Sequence, residues 1–139
     1  TPLSSSAASD VYKRQNYVRD HLPSVALYQM GTGFTWDTQD RESDIAAAKR
    51  TWEHAVEMLS DVSYHLVVLD ELTYMLAFDY LPESEVINAL TGRPESQSVV
   101  VTGRGGGQAL REAMDTVSEV KEIKHAYRTG IRARQGVDY

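Results

Sequence analysis

Apolar residues are distributed along this chain in two patterns. Between residues 41 and 60 they return every three or four positions, which predicts an amphipathic helix with its apolar stripe at Ile45, Ala48, Trp52, Val56 and Leu59. Residues 65–70 and 97–102 are instead short continuous apolar runs, typical of strands covered on both faces. Similar patterns predict further strands over 25–30 and 116–120, and further helices over 71–80, 83–90 and 108–114.

This alternation of strands and helices predicts an α/β fold, with a mainly parallel sheet flanked by helices. We expect one domain over residues 16–139, without a second one. Residues 1–15 are rich in small side chains and show neither helical periodicity nor a continuous apolar run, so we interpret them as a disordered or non-native tail.

Composition narrows the functional classes. Acidic residues outnumber basic ones by 20 to 14, which argues against a nucleic-acid partner. No run approaches the roughly 20 apolar residues that cross a bilayer, so we expect no membrane partner. The chain has no cysteine, which excludes disulfides and thiolate metal sites. Without a visible secretory signal, we expect a cytoplasmic protein.

Two acids follow the first apolar run. Asp70 and Glu71 come directly after Leu66-Val-Val-Leu69, at the carboxyl end of a predicted strand, where open α/β sheets bind ligands. Carboxylates there can hold Mg²⁺ beside a polyphosphate. The motif is short, and two acids that merely begin a helix fit it equally well.

A glycine-rich turn follows the second apolar run. In Thr102-Gly-Arg-Gly-Gly-Gly107, backbone amides could approach an anion, and Arg104 could add a charged fork. The turn is neither a P-loop, since no Lys-Ser/Thr pair follows, nor G-x-G-x-x-G. A flexible connection without a ligand is the alternative interpretation.

Two large aromatic residues, Phe34 and Trp36, lie in a glycine-bounded segment. Both could stack against a flat ligand, or one could pack into the core with the other partly exposed.

In this order, the segments resemble the P-loop-type ATP:corrinoid adenosyltransferases of bacterial cobalamin synthesis and salvage. The resemblance covers about residues 17–139. It rests on Gly33-Phe-Thr-Trp-Asp-Thr-Gln39 with Arg41-Glu-Ser43, Leu69-Asp-Glu-Leu-Thr-Tyr-Met75, Thr102-Gly-Arg-Gly105, Asp115-Thr-Val-Ser-Glu119, and Lys124-His-Ala126 leading to Gly136-Val-Asp-Tyr139.

The resemblance implies a P-loop NTPase-like fold and an enzyme that transfers the 5′-deoxyadenosyl group of ATP to the Co(I) of a corrinoid, releasing triphosphate. Aromatic residues at the positions of Phe34 and Trp36 displace the lower axial ligand of Co(II) in that family, which makes reduction to Co(I) easier. Glu71 matches the family's Mg²⁺-coordinating acid, Asp70 lies beside it, and Arg104 lies at the edge of the nucleotide site.

The same resemblance implies the cofactor and partners. These are Mg²⁺ or Mn²⁺, the substrates ATP and cob(I)alamin or a precursor corrinoid, an electron-donating flavoprotein reductase, and a second subunit in a homodimer.

One departure from the family is clear. The sequence contains no G-x-x-x-x-G-K-[ST] motif. We therefore expect an N-terminally truncated domain that lacks the first strand and the P-loop and is inactive alone. Two alternatives stay open: a fragment of a generic P-loop ATPase in which Glu71 activates water, and a non-catalytic module that binds a corrinoid or a nucleotide.

Overall fold

The computed structural model describes residues 15–29 and 41–132, which belong to two compact units. One unit spans residues 30–117, and the other combines residues 1–29 with 118–139. The first contains, in chain order, α1 (Arg41–Ser60), β1 (Leu66–Leu69), α2 (Leu72–Ala77), α3 (Glu83–Thr91), β2 (Ser98–Val101) and α4 (Gln108–Ala113).

A two-stranded parallel sheet lies within this unit. β1 and β2 pair in register from Leu66 opposite Ser98 to Leu69 opposite Val101. Parallel strands need a crossover between them, and α2 and α3 provide it. The expected α/β class with a parallel sheet flanked by helices is confirmed at this small scale.

Only one face of this sheet is buried within the described residues. Val67 and Leu69 are 4% and 8% exposed, whereas Leu66 and Val68 are 53% and 55% exposed. Val100, opposite Val68, is also exposed. The expectation that both apolar runs are covered on both faces is therefore wrong for the part of the chain described. An unbroken apolar run does not reveal whether a second layer is present, because that layer comes from elsewhere in the chain.

Two predicted strands are also wrong where the structure describes them. Residues 25–29 and 116–120 are irregular and pair with no strand; residue 30 lies outside the described residues. A strand exists only when a neighbour takes up its backbone hydrogen bonds, and neither segment has such a neighbour among the described residues.

Helix α1 supplies much of the core. Its predicted bounds are confirmed, and Ala48, Trp52, Ala55 and Leu59 are buried. The Trp52 indole nitrogen donates a 2.9 Å hydrogen bond to the Glu85 carboxylate, which ties α1 to the first turn of α3. The core cluster consists of Trp52, Ala55, Leu59, Val67, Leu69, Leu72, Leu76, Leu81, Val86, Leu90 and Leu110.

A buried amide closes the end of this core. Gln97 is 2% exposed, and its Nε2 lies 3.1, 3.1 and 3.2 Å from the carbonyl oxygens of Met58, Asp61 and Tyr64. The side-chain nitrogen thus holds together the end of α1 and the turn that leads into β1. Its Oε1 is buried without a hydrogen-bond partner among the described residues.

The glycine-rich turn after β2 is pressed against α2. A Cβ on Gly103 would clash with the Thr73 hydroxyl, and a Cβ on Gly106 would lie 2.7 Å from the Thr73 carbonyl oxygen. Glycine at these two positions is what lets the turn lie so close to the helix backbone.

The second unit is described over residues 15–29 and 118–132. It contains a helical stretch over residues 15–21 and a 3₁₀ helix, Ala126–Thr129, beside an ion pair of 2.8 Å between Arg128 and Glu122. Val120 and Ile123 are almost fully exposed. In the part of the chain described, no helix has both the length and the apolar character that crossing a bilayer requires.

We expect Gln97→Glu to lower the free energy of unfolding by about 3 kcal/mol at pH 7, because the variant removes the donors and places a carboxylate among three carbonyl oxygens. Urea unfolding measures the effect. Gln108→Glu is the matched control: Gln108 is exposed and bonds only to Glu112, so the cost there should be about 0.3 kcal/mol. Equal losses of stability at both positions would contradict the stabilising role of the three Gln97 hydrogen bonds.

We expect Gly106→Ala to be more destabilising than Gly105→Ala. Both glycines have a positive φ, which costs a residue with a Cβ about 1 kcal/mol. Only at Gly106 does the added carbon also meet backbone, at 2.7 Å from the Thr73 oxygen and 2.8 Å from the Ala77 nitrogen, adding about 2 kcal/mol. At Gly105 nothing lies within 4 Å. Urea titrations of the two variants that coincide would refute the close packing.

Candidate functional site

The carboxyl ends of β1 and β2 bring the predicted polar residues to one edge of the sheet. Because the ladder ends with Leu69 opposite Val101, Asp70 and Thr102 emerge side by side. Glu71 is the last residue between β1 and α2, and Gly103–Gly107 connects β2 to α4. This is the edge at which open parallel sheets bind ligands.

The two strand ends are joined by side-chain hydrogen bonds. Thr102 Oγ1 donates to Asp70 Oδ1 at 2.5 Å and accepts the Glu71 backbone N–H at 3.0 Å. All three residues are exposed. The sequence indicated both acids but not the threonine between them, because strand pairing sets its partner 32 residues away.

Glu71 adopts an unusual backbone conformation. Its φ of 62° and ψ of 17° lie in the left-handed region, and it stands at the N-cap of α2 without a side-chain capping bond. Within the described residues its carboxylate makes no hydrogen bond or ion pair. Such strain in a residue with a Cβ is most common at functional sites.

Arg104 lies in the exposed part of the glycine-rich turn. Among residues 15–29 and 41–132 its guanidinium has no hydrogen-bond or ion-pair partner. The helix that follows this turn is tied to α3, because a Glu83 carboxylate oxygen accepts the Leu110 backbone N–H at 2.8 Å and thereby caps the first turn of α4. The structure therefore brings Arg104 to the same sheet edge as Asp70 and Glu71, on a turn fixed by α2 and α3.

A cluster of aromatic rings at the end of α2 was not found from the sequence. The rings of Phe78 and Tyr80 lie 5.6 Å apart and those of Tyr74 and Phe78 lie 6.3 Å apart. Arg41 donates to the Phe78 carbonyl oxygen at 3.0 Å and lies 5.5 Å from the Tyr80 ring centre. Phe78 is 38% exposed, so the cluster is not wholly part of the core.

The donor set at this edge suits a magnesium–polyphosphate. The described residues contain no group of three or more histidine, cysteine, aspartate or glutamate side chains arranged for a metal. Mg²⁺ usually takes only one or two protein carboxylates and completes its octahedron with water and substrate phosphate oxygens. Asp70 and Glu71, exposed and adjacent, fit that pattern.

Phe34 and Trp36, the predicted corrinoid-binding pair, lie outside the described residues. Their placement relative to Asp70, Glu71 and Arg104 stays a prediction.

Comparison with known proteins bears on the family of this chain. The family model for "ATP:corrinoid adenosyltransferase BtuR/CobO/CobP" matches residues 8–139. A corrinoid adenosyltransferase of Escherichia coli strain K12 is 51% identical over 125 residues, and one of Salmonella typhimurium strain LT2, CobA, is 49% identical over 125 residues. A corrinoid adenosyltransferase of Pseudomonas aeruginosa is 47% identical over 123 residues.

These matches cover most of this chain but not all of each relative. They span 90% of the chain and 63% of the E. coli and S. typhimurium proteins, and 88% of the chain and 61% of the P. aeruginosa protein. Since the family model covers nearly the whole chain and the relatives share about half of the aligned residues, the chain belongs to the ATP:corrinoid adenosyltransferase BtuR/CobO/CobP family.

Proposed function

We propose that this chain supplies the corrinoid- and metal-binding part of an enzyme that transfers the 5′-deoxyadenosyl group of ATP to the cobalt of a corrinoid. The observation that carries the proposal is the shared sheet edge. The carboxylates of Asp70 and Glu71 and the glycine-rich turn that carries Arg104 lie at the ends of adjacent parallel strands. About half of the aligned residues are identical to those of corrinoid adenosyltransferases.

Asp70 and Glu71 face the triphosphate of ATP in this proposal. When bound there, Mg²⁺ or Mn²⁺ neutralises charge on the triphosphate, so that it can depart from the ribose. Glu71 would hold the metal with a carboxylate that has no partner among the described residues, and Asp70, which accepts the Thr102 hydroxyl, would support it.

Arg104 contributes positive charge to the same triphosphate. Its exposed guanidinium has five donors and no partner among the described residues, and it is carried on a turn that packs tightly on α2. A guanidinium placed this way orients the nucleotide and stabilises the negative charge that grows on the leaving triphosphate.

The reaction forms one bond and breaks one. The electron pair of Co(I) attacks the ribose C5′ of ATP, a Co–C bond forms, the C5′–O bond breaks, and inorganic triphosphate leaves with that bonding pair. The chain's residues bind and orient the two substrates so that cobalt meets C5′ and not a phosphorus atom.

Phe34 and Trp36 act on the cobalt before this step. In the proposal their rings occupy the lower face of Co(II)corrinoid and exclude its axial donor. Loss of that donor lowers the orbital that receives the electron, so reduction to Co(I) becomes easier. An electron-donating flavoprotein reductase supplies the electron.

The complete enzyme needs more than these residues. The 139 residues include no G-x-x-x-x-G-K-[ST] sequence, and the chain spans 63% of the length of the relatives from E. coli and S. typhimurium. We therefore assign the remaining phosphate contacts to a P-loop outside this chain, in a cytoplasmic homodimer with a P-loop NTPase-like fold, cobalamin or a precursor being the corrinoid.

We expect the isolated chain to form no adenosylcobalamin above background from ATP, Mg²⁺ and chemically reduced cobalamin. We expect a hybrid to form it, in which residues 16–139 replace the matched region of the E. coli relative. Absorbance spectroscopy and chromatography of the light-sensitive product measure both. Turnover by the chain alone would refute the need for a further segment. A folded hybrid that releases phosphate from ATP without any corrinoid, and never adenosylates, would refute the proposed function.

In the same hybrid, we expect Phe34→Ala with Trp36→Ala to slow adenosylation that starts from Co(II) by about 10- to 100-fold, as loss of groups around a metal commonly does. The loss should be much smaller when cobalamin is supplied already reduced to Co(I), because the rings are needed for the reduction. Tyr127→Ala, which removes a ring that is 79% exposed, is the control. Undiminished turnover from Co(II) would end the assignment of the two rings.

A further inference from the structure

One hydroxyl group connects both ends of the parallel sheet at the candidate site. Thr102 Oγ1 donates its single proton to Asp70 Oδ1 at 2.5 Å and receives the Glu71 N–H at 3.0 Å. A hydroxyl has one proton and two lone pairs, so it can fill both roles at once. The direction of these bonds is fixed, because a backbone N–H can only donate.

The Glu71 conformation requires support of this kind. A φ of 62° is unfavourable for a residue with a Cβ, and Glu71 has no side-chain cap to compensate. Its N–H bond to Thr102 is the hydrogen bond that the structure gives its backbone nitrogen. Only Asp70 and Glu71 separate the last residue of β1 from the first of α2, so there is little chain to absorb a change.

Thr102 itself is held in place by the sheet. Its N–H donates to the Leu69 carbonyl oxygen at 3.2 Å, which extends the β1–β2 ladder by one bond. The next residue, Gly103, packs directly on Thr73 in the first turn of α2. The hydroxyl is therefore presented from a rigid position between the turn and the glycine-rich loop.

We propose that Thr102 is a positioning residue that locks the Asp70–Glu71 turn in its left-handed form and thereby keeps the exposed Glu71 carboxylate in one position, where it is available to a metal–triphosphate. The inference rests on the proposed function for its consequence, but its first part concerns the ligand-free chain. Without the hydroxyl, we expect Glu71 to relax to an ordinary helical or extended conformation, which would move its carboxylate away from its present position.

The experiment uses the 139-residue chain with three substitutions of threonine. Thr102→Val keeps the side-chain shape and removes the hydroxyl, whereas Thr102→Ser keeps the hydroxyl. Thr91→Val is the matched control, since its hydroxyl bonds only within α3, to the Ile87 carbonyl oxygen at 2.8 Å and the Asn88 carbonyl oxygen at 3.3 Å. A fourth variant, Glu71→Gln, tests the metal role separately.

The first readout is NMR of the ligand-free chain. The Cα and Cβ chemical shifts of residue 71 and its three-bond HN–Hα coupling constant report whether its backbone is in the left-handed conformation. We expect this signature in the unmodified chain, in Thr102→Ser and in Thr91→Val, and its loss in Thr102→Val. Amide exchange of the β1 residues in the same samples separates a local change at Glu71 from general unfolding.

The second readout is the binding of Mn²⁺ with ATP, followed by electron paramagnetic resonance and measured in the hybrid with the E. coli relative, because the proposed function assigns further phosphate contacts to a P-loop outside this chain. We expect Thr102→Val to weaken binding about tenfold, the effect of losing hydrogen bonds worth about 1.4 kcal/mol, and Thr102→Ser to restore it. Glu71→Gln should weaken it at least as much.

The outcomes separate the two ideas. If Thr102→Val keeps the left-handed signature at residue 71, or loses it only together with protection throughout β1, the positioning role is wrong. If the unmodified hybrid does not bind Mn²⁺ with ATP, or Glu71→Gln in the hybrid binds as well as the unmodified hybrid, the proposed metal role of Glu71 is wrong. The NMR result on Thr102 stands in either case.

Discussion

The parallel pairing of β1 with β2 is the constraint on which the rest of this structure depends. Four residue pairs align Leu66–Leu69 with Ser98–Val101, and that register alone places Asp70 beside Thr102. Residues more than 30 positions apart in the chain thereby meet at one sheet edge. Helices α1 and α3 and the Gln97 amide hold the pair from one side, so the geometry of the site follows from the packing of the core.

The same site is assembled from conformations that are unfavourable by themselves. Glu71 has a left-handed backbone, and the glycine-rich turn has positive φ angles at Gly103, Gly105, Gly106 and Gly107. Close contact of that turn with α2, and the capping of α4 by Glu83, compensate for these conformations. The result is a fixed frame from which Arg104 and the Glu71 carboxylate extend without partners among the described residues, as groups that await a charged ligand would.

The sheet is also unusual in having one bare face within the part of the chain described. Leu66, Val68 and Val100 are exposed, although parallel sheets are normally covered on both faces. The relatives are longer than the matched region by more than a third of their length. The described residues therefore show one layer of helices against this sheet and no layer on its other face.

The sequence by itself determined the local elements and the family. The helix over Arg41–Ser60, both paired strands and the glycine-rich turn follow from apolar spacing and glycine content, because these are properties of neighbouring residues. The motifs that include Asp70, Glu71 and Arg104 indicated the corrinoid adenosyltransferase family, and the family match confirmed that membership. The tertiary structure alone decided that residues 25–29 and 116–120 form no strand, that one sheet face is uncovered among the described residues, and that Thr102 joins the two acids. Each of these depends on which distant segment supplies a hydrogen-bond partner or a covering layer, and a pattern of neighbouring residues does not contain that information.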